Sequence, residues 1–323
     1  MSRILSAILG LLLIAGLAGS ARAQSEAGAQ SLLIAPGARA DGMGRAFAAI
    51  ANDANAVWWN PGGMAFARGH DASFMYTQLV PDLADDVNYS YLAYVQHVEG
   101  WGGIGGSVGY LSYGKSLATD EFGNDIGEFT SYEIAPTIAY GTEIVSNFGV
   151  GVALKLVRVD LAPAFVSLDG RAGRGTTFAA DIGGLVKAPG LKSSFGAVIQ
   201  NLGPNIAYID EDQSDPLGRN LKVGVGYSPF ENEVHRVLVA ADANRFLLPG
   251  RTLAVDVWSV GAEYEFNRLL ALRVGYISDP RGTIEDMTFG LGLGYHGFRF
   301  DYASVPQSEF LERVNRFSAS YHF

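Results

Sequence analysis

The chain has 323 residues, no cysteine, 41 glycines and a formal net charge of −10. The lack of cysteine excludes a disulfide framework and thiolate metal sites, and the acidic balance argues against nucleic acid or an anionic membrane surface as a partner. Glycine stands at about twice its average usage of roughly 7%. The 15 tyrosines and 18 phenylalanines beside it favour strands over helices.

Residues 1–23 have the organisation of a secretory signal peptide. Arg3 supplies the positive start, residues 4–17 form the apolar core, and Ala21-Arg22-Ala23 is a small-x-small cleavage site. The apolar core is short for a membrane anchor, and no later stretch reads as a spanning helix. We therefore predict cleavage after Ala23 and export of the mature protein. Any membrane insertion of the mature protein must then come from β-strands.

Residues 24–69 precede the first strand pattern and are predicted to form a compact, partly helical insert, most strongly from Arg39 to Phe66. Asp53 stands where a helix N-cap would, and the Asn60-Pro61 step turns the chain. The polar residues to be enclosed are expected to pair with the surrounding wall, through partners such as Asp181, Glu263 or Asp301; the alternative is that they face periplasmic water. The residues expected to fix or gate the insert are Arg39, Met43, Gly44, Arg45, Asp53, Trp58, Trp59, Asn60 and Pro61.

The same insert resembles the N-terminal signature of PorV/PorQ-type outer-membrane proteins. The matching groups are Ala38-Arg39-Ala40, Met43-Gly44, Asp53-Ala54 and Trp59-Asn60-Pro61. A weaker version occurs in the FadL-type hydrophobic-compound channels. The resemblance implies that the insert is a plug seated in a fourteen-stranded barrel. Gly37 and Gly62 depart from it, because PorV-like chains tend to have an acidic residue and an alanine there.

After the insert, runs of about ten residues follow, long enough to cross a membrane as tilted strands. Connections after the odd-numbered runs are long, as in 80–86 and 204–218, whereas those after the even-numbered runs are tight, as in 142–146 and 296–297. This rule is typical of an outer-membrane barrel with both termini in the periplasm. The fourteen predicted strands are 70–79, 89–98, 102–113, 129–141, 147–160, 175–187, 193–203, 219–228, 235–246, 253–266, 269–278, 286–296, 297–304 and 313–323.

Period-two alternation predicts which face of each strand meets lipid. Phe289, Leu291 and Leu293 share one face of their run, and Gly290 and Gly292 share the other. A water-filled pore would carry more charge on its inner face, so bare inner faces favour a lumen packed with the insert. Aromatic residues near strand ends are expected to form membrane-interface girdles: Trp101, Tyr110, Tyr113, Tyr140, Tyr276, Tyr295 and Tyr321.

Signals for chemistry are weak. Residues 105–109 match Gly-x-Ser-x-Gly, but Ser107 lies mid-strand, where no strand-to-helix turn could expose a nucleophile. The five histidines lack zinc-ligand spacing. The acidic run 210–215 could bind a hard cation, yet it lacks the glycine and glutamate of an EF-hand loop and reads better as a solvated loop. We therefore expect no enzyme, no cofactor and no metal site.

The C-terminal run resembles the assembly signal of bacterial outer-membrane barrels. Phe317 and Tyr321 alternate with small or polar residues, and the chain ends on Phe323. The resemblance implies recognition of these three residues by the barrel assembly machinery.

The sequence therefore predicts an all-β, fourteen-stranded antiparallel transmembrane β-barrel (FadL-like) over 70–323, with a small plug over 24–69 and a signal peptide over 1–23. The expected location is the outer membrane of a Gram-negative-type bacterium, in contact with its lipid. Resemblance to PorV/PorQ-type proteins implies a non-catalytic role in type IX secretion, with a secretion translocon and cargo proteins as partners. The alternative is a FadL-like channel for hydrophobic small molecules.

Overall fold

The computed structural model describes residues 27–167, 170–210, 212–247, 255–307 and 311–323. The predicted signal peptide lies outside the described residues. Fourteen antiparallel strands close into one barrel, in which the first strand pairs with both the second and the last. The strands are β1 His70–Gln78, β2 Val87–Val98, β3 Gly102–Thr119, β4 Asp125–Val145, β5 Phe148–Ala162, β6 Gly173–Ala188, β7 Ser193–Leu202, β8 Asn220–Glu231, β9 His235–Phe246, β10 Val257–Phe266, β11 Leu270–Asp279, β12 Ile284–Tyr295, β13 Phe298–Val305 and β14 Val314–His322.

This barrel confirms the predicted fold class and the strand count, and most strand bounds agree within two residues. The connections after even-numbered strands are tight, such as 146–147 and 296–297, and together they form what we call the short-turn end. The opposite, long-loop end carries the connection 203–219, which contains a two-residue ribbon pairing Ile206–Ala207 with Ser214–Asp215.

Alternation also places the side chains as expected. Phe289, Leu291 and Leu293 are 50%, 40% and 52% exposed on the outer face of β12, while Thr288 on the inner face is fully buried. Tyr113 is the exception among the predicted girdle residues. It points inward, and its hydroxyl donates to Glu133 Oε1 at 2.5 Å. Tyr113 therefore belongs to the lumen and not to a girdle.

The connection between β3 and β4 was expected to be a long loop but forms a hairpin. Both strands continue past a bulge after Ser112, and the ladder runs on to the pair Thr119↔Asp125. Asp120 closes the turn, since its Oδ1 accepts the main-chain N–H groups of Phe122 and Asn124 at 2.9 and 2.8 Å. The prediction failed because lipid imposes no apolar alternation on a strand extension beyond the membrane.

The N-terminal segment, residues 27–66, lies inside the barrel. It contains two short α-helices, α1 Ala38–Gly42 and α2 Ala56–Trp59, and 3-10 turns at Gln30–Leu32 and Pro61–Phe66; two further 3-10 turns, Ala164–Val166 and Pro189–Leu191, lie in connections of the barrel. The second turn of the segment packs on β3 to β6, and α1 packs on β11 to β14 across the lumen. The segment thus bridges opposite walls and joins the largest buried cluster.

The two ends of the described chain lie at opposite ends of the barrel. Phe323 exchanges main-chain hydrogen bonds with His70 at the short-turn end. Gly28 and Ala29 instead bond to Pro216 and Tyr208, in the long connection before β8. Residues 27–66 therefore run through the lumen from the long-loop end to the short-turn end.

Candidate functional site

The two short helices of the segment each follow a residue suited to a helix start, a glycine for α1 and an asparagine for α2. Gly37, with φ +94°, precedes α1, a backbone geometry that glycine adopts without strain. Helix α2 begins at Ala56 after the N-cap Asn55, two residues later than predicted. Asp53 still caps this turn, because its Oδ1 accepts the Asn55 N–H at 3.0 Å.

Asn60 and Pro61 make the sharp turn that follows α2. Asn60 is extended, with φ −167°, as the residue before proline should be. Its side chain is fully buried; it accepts from Gly62 N at 3.0 Å and donates to the carbonyls of Ala48 and Gly184 at 2.8 and 3.0 Å. One amide therefore ties the turn, the rest of the segment and strand β6 together.

Inner-wall glycines let the backbone of the segment lie directly on the barrel. A Cβ on Gly290 of β12 would come within 3.0 Å of Gly42 Cα, and one on Gly62 would come within 2.8 Å of Gly184 Cα. Main-chain atoms of Met43 and Gly44 lie in the same way against β10 and β11. Side chains at these wall positions would occupy the space of the segment, which explains the bare inner faces seen in the sequence.

The two tryptophans fill the middle of the lumen. Trp59 is fully buried and donates through Nε1 to Pro36 O at 2.8 Å. Its ring meets those of Trp58 and Phe47 edge-on, at centroid distances of 4.8 and 5.7 Å. The ammonium of Lys222 on β8 lies 4.2 and 4.4 Å from the Trp58 and Trp59 ring centroids, so the rings also satisfy a buried cation.

Arg39 joins the segment to a buried ionic network. Its guanidinium donates to both Glu263 oxygens at 2.9 and 3.0 Å and to Asp53 at 3.2 Å. Glu263 also accepts from Arg273, which continues to Asp301. Burial lowers the pKa of Arg39, but the carboxylates of Glu263 and Asp53 outweigh it and hold this pKa above its ordinary value. Every charge in the chain of contacts therefore has a partner.

The expected wall partners are only partly right. Glu263 contacts the segment directly, whereas Asp301 reaches it through Arg273, and Asp181 pairs with Lys155 within the wall. Arg45 pairs with Asp41 of its own segment rather than with the wall. Asp181 and Asp301 are engaged by cations of the wall itself, and Asp41 of the segment takes Arg45.

The sequence did not predict several contacts that hold the segment, because in these contacts side chains of the wall bind the main chain of the segment. Glu133 of β4 accepts the N–H groups of Gln30 and Ser31 at 3.1 and 2.8 Å, and Asp242 of β9 accepts those of Phe47 and Ala48 at 2.9 and 2.8 Å. A lone acid at an inward position of an otherwise small or apolar strand is the signal that could have found them.

Two further wall residues hold α1. Arg316 of β14 donates to Asp41 Oδ2 at 2.9 Å and to Ala35 O at 2.6 Å. Thr288 of β12 accepts from Gly44 N at 2.9 Å.

The three C-terminal aromatic residues lie on the outer face of β14. Phe317 is 56% exposed and Phe323 55%. Tyr321 stacks on Phe298 and on Phe323, with centroids 4.2 and 5.0 Å apart. The main chain of Phe323 also helps to close the barrel on β1.

No arrangement for catalysis is seen where the sequence raised the question. Ser107 lies within β3, paired to Ala93 and Thr137 in neighbouring strands. Across the described ranges, no three histidine, aspartate or glutamate side chains are grouped as a metal site. In the same part of the chain, no helix is long and apolar enough to span a membrane.

Comparisons with solved structures identify the architecture. The chain is similar to the toluene transporter TodX of Pseudomonas putida, with 14% identity and a TM-score of 0.55 over 89% of this chain and 98% of that one. The toluene transporter TbuX of Ralstonia pickettii has 14% identity and a TM-score of 0.54, over 89% of this chain and 98% of that one. The monoaromatic hydrocarbon channel CymD has 16% identity and a TM-score of 0.57, over 90% of this chain and 98% of that one. At these identities the likeness shows the fold alone.

Sequence comparison gives the family. The search of curated proteins returns no match. A family model described as "Type IX secretion system protein PorV" matches residues 20–252, which is more than half of the chain. Together with the barrel fold, this match makes the protein an outer-membrane barrel. The chain belongs to the PorV family of type IX secretion system proteins.

Proposed function

We propose that this protein is a non-catalytic barrel component of type IX secretion that receives exported cargo at the outer membrane and passes it to the surface attachment machinery. The observation that carries the proposal is the filled lumen. Residues 27–66 bridge opposite walls and are held by Glu263, Arg316, Glu133 and Asp242. A body filled in this way presents surfaces to other proteins and leaves the passage of cargo to a separate translocon.

The long-loop end supports a role in protein contacts. Strand β4 has 21 residues, against the roughly 9–11 that a tilted strand needs to cross a membrane. The excess forms the β3–β4 hairpin, on which Phe122 is 81% and Leu117 60% exposed. Hydrogen bonds from Asn124 lower the pKa of Asp120 and fix the turn. We assign these two exposed apolar side chains to the protein-binding surface of the proposed component.

The orientation forms part of the same proposal. Long loops of outer-membrane barrels face the cell surface and short turns face the periplasm. We accordingly assign the β3–β4 hairpin to the surface and Phe323 to the periplasm. In this orientation the described N-terminal residues, from Ala27, lie near the surface loops inside the barrel, and residues 27–66 act as the plug. The outer aromatic face of β14 is then available to the barrel assembly machinery.

One observation favours a second function, a channel for hydrophobic small molecules. The β4–β5 ladder lacks the register pairs at Ala135 and Pro136, because proline has no N–H to donate. Behind this break lies an apolar cluster that includes Leu32 and Val157. An apolar ligand could leave the lumen sideways at such a break, and the similar structures named above are hydrocarbon transporters and channels.

Complementation separates the two functions. A strain lacking the native gene receives the wild type, the double variant Phe122→Ser/Leu117→Ser, or Pro136→Val, and both surface-attached cargo and toluene uptake are measured. The secretion role predicts that the hairpin variant loses cargo attachment at normal barrel levels. Leu191→Ser, which changes an exposed apolar residue in a tight turn of the short-turn end, is the control and should behave as wild type. Uptake that changes in Pro136→Val, with attachment intact in every strain, would support the channel instead.

A further inference from the structure

The outer face of the barrel carries two arginines near the long-loop end, Arg158 on β5 and Arg174 on β6. Arg158 lies on the same side of its strand as Leu156, which is exposed on the lipid-facing surface. Arg174 pairs with Asp160, two positions along from Arg158, so the two guanidinium groups are diagonal neighbours across the ladder. Their side chains are 46% and 50% exposed. Together they form a basic patch on the surface that meets lipid, and we call it the arginine pair.

The arginine pair lies at the height where the apolar band of the barrel ends. Arg158 stands ten residues beyond Phe148, with which β5 begins at the short-turn end. Ten residues of a strand tilted by about 40° rise roughly 25 Å, which is the height of the lipid-facing apolar band of such barrels. Phe178, the lipid-facing aromatic residue of β6 below the pair, is exposed. Beside the pair, Tyr110 and Tyr132 stack with ring centroids 5.9 Å apart, as in an interfacial aromatic belt. The guanidinium groups therefore lie at the level of lipid headgroups.

One carboxylate serves both arginines. Arg174 Nε lies 2.8 Å from Asp160 Oδ2, and Arg158 Nη2 lies 3.7 Å from the same oxygen, which is too far for a hydrogen bond. Among the described residues, no other carboxylate lies within ion-pair distance of either guanidinium. The pair therefore keeps one net positive charge, although the whole chain carries −10.

Another outward-facing arginine at the same end, Arg313, has a full set of partners from the barrel. It donates to Asp286 Oδ2 at 2.6 Å, to Met287 O at 2.7 Å and to Ser304 Oγ at 3.0 Å. Its guanidinium also lies 5.7 Å from the centroid of the Phe289 ring. The barrel wall can thus satisfy an arginine at this height, which it does not do for Arg158.

We propose that the arginine pair binds the phosphate group of a glycolipid in the outer leaflet. Two guanidinium groups that converge on one oxygen can both donate to a phosphate, whose oxygens match the planar arginine fork. The acyl chains of the same molecule would lie along Leu156 and Phe178. A free phosphate would use only the arginines, so the position of the pair at the edge of the apolar band points to a lipid. The choice of the outer leaflet rests on the orientation given with the proposed function, in which the long loops face the cell surface.

Native mass spectrometry of delipidated, full-length protein in detergent tests this site, with apparent Kd values taken from lipid titrations. The probes are diphosphoryl lipid A, the same lipid with its phosphates removed, and phosphatidylethanolamine, which represents the inner leaflet. The variants are Arg158→Gln, Arg174→Gln, the two together, and the double lysine variant Arg158→Lys/Arg174→Lys. Arg313→Gln is the matched control, because it removes an outward-facing arginine of the same end that the wall already satisfies. Heat-modifiable migration on gels checks that each variant is folded.

The site predicts saturable binding of diphosphoryl lipid A to the wild type. Removing the phosphates, or replacing both arginines by glutamine, should weaken binding by about tenfold or more, because each change removes the charge-assisted hydrogen bonds. The double lysine variant should retain more affinity than the double glutamine variant, and Arg313→Gln should match the wild type.

Equal affinity for the dephosphorylated lipid, or an unaffected double glutamine variant, would overturn the proposal. Phosphatidylethanolamine that binds as tightly as lipid A would overturn the assignment to an outer-leaflet glycolipid. Inorganic phosphate that displaces lipid A at or below the apparent Kd of the lipid would show a simple anion site and contradict the lipid reading. Binding in detergent does not depend on how the barrel is oriented in the cell. A negative result therefore counts against this site alone, whereas failure of the secretion role would appear in the cargo assay.

Discussion

Arg39 of the N-terminal segment and Glu263 of β10 form a two-point ion pair inside the barrel, with N–O distances of 2.9 and 3.0 Å. Both side chains are at least nine-tenths buried. The pair joins the segment to the wall, and Arg273 and Asp301 extend it around the lumen. The stability of the segment in its seat should therefore depend on this pair.

Glu263→Gln should destabilise the folded barrel by about 3–5 kcal/mol, because it leaves two buried guanidinium groups short of a carboxylate. The free energy of unfolding in urea, measured in lipid vesicles, gives the size of the effect. A double-mutant cycle with Arg39→Met should show a coupling energy of about 1–3 kcal/mol. Glu285→Gln, at an exposed position of β12, should change little. Additive effects of the Arg39 and Glu263 substitutions would show that the pair does not hold the segment.

Replacing Trp58 and Trp59 by alanine should loosen the segment without preventing barrel insertion. Each buried ring is worth about 3–5 kcal/mol on truncation, and Lys222 would lose both aromatic faces. Limited proteolysis of residues 39–66 in inserted protein measures the loosening. Trp101→Ala removes an exposed tryptophan from a short turn and is the matched control. We expect the double variant to lose cargo attachment while toluene uptake stays unchanged. A segment as resistant to protease as in the wild type would show that the tryptophans do not hold it in place.

How far the sequence predicts this arrangement depends on what imposes the pattern. Lipid imposes alternation, so the outer face of β12 and the glycines of its inner face could be assigned from residue types alone, and Glu263 was among the named wall partners. Water imposes no such pattern, so the β3–β4 hairpin beyond the membrane was mistaken for a loop. The partner of an enclosed charge depends on strand register and on the path of the segment. For that reason the sequence offered Asp181, Glu263 or Asp301 as wall partners, and the structure shows that Glu263 is the one that pairs with Arg39.

The contacts that Glu133 and Asp242 make with the segment could not be predicted from the sequence either. Both acids bind main-chain N–H groups of the segment, to which any residue type could contribute. No side chain of the segment therefore indicates these contacts in the sequence. Only the acid itself, alone on an inward face, is visible in the sequence.

Deleting Phe323 should lower the yield of inserted barrel and leave more chain open to periplasmic proteases. The ring lies on the outer face beside Tyr321, and its main chain bonds to His70 where the barrel closes. Pulse-chase insertion followed by protease treatment measures this. Phe323→Tyr keeps an aromatic end and should insert normally. The molecules of the deletion variant that do insert should function as wild type; normal insertion kinetics for the deletion would exclude an assembly signal at this residue.

Tags test the proposed orientation. An epitope inserted after Phe122, at the tip of the β3–β4 hairpin, should be reached by antibody on intact cells, because this end is assigned to the surface. The matched insertion after Ser146, in a tight turn of the opposite end, should be reached only after the outer membrane is opened. Labelling of the second site on intact cells would invert the assigned topology.

Locking the segment in place tests the central claim most directly. The chain has no cysteine, and Ser318 Oγ accepts the Ala38 N–H at 2.8 Å, so Ala38→Cys and Ser318→Cys place two thiols between segment and wall. In a strain carrying only this variant, surface attachment of cargo is measured with the disulfide formed and again after reduction, with each single-cysteine variant as control. The account predicts equal attachment in both states, since the segment fills the lumen while the outer surfaces handle protein. Attachment that is lost on oxidation and restored by reduction would contradict it, because the segment would then have to leave its seat for the protein to work.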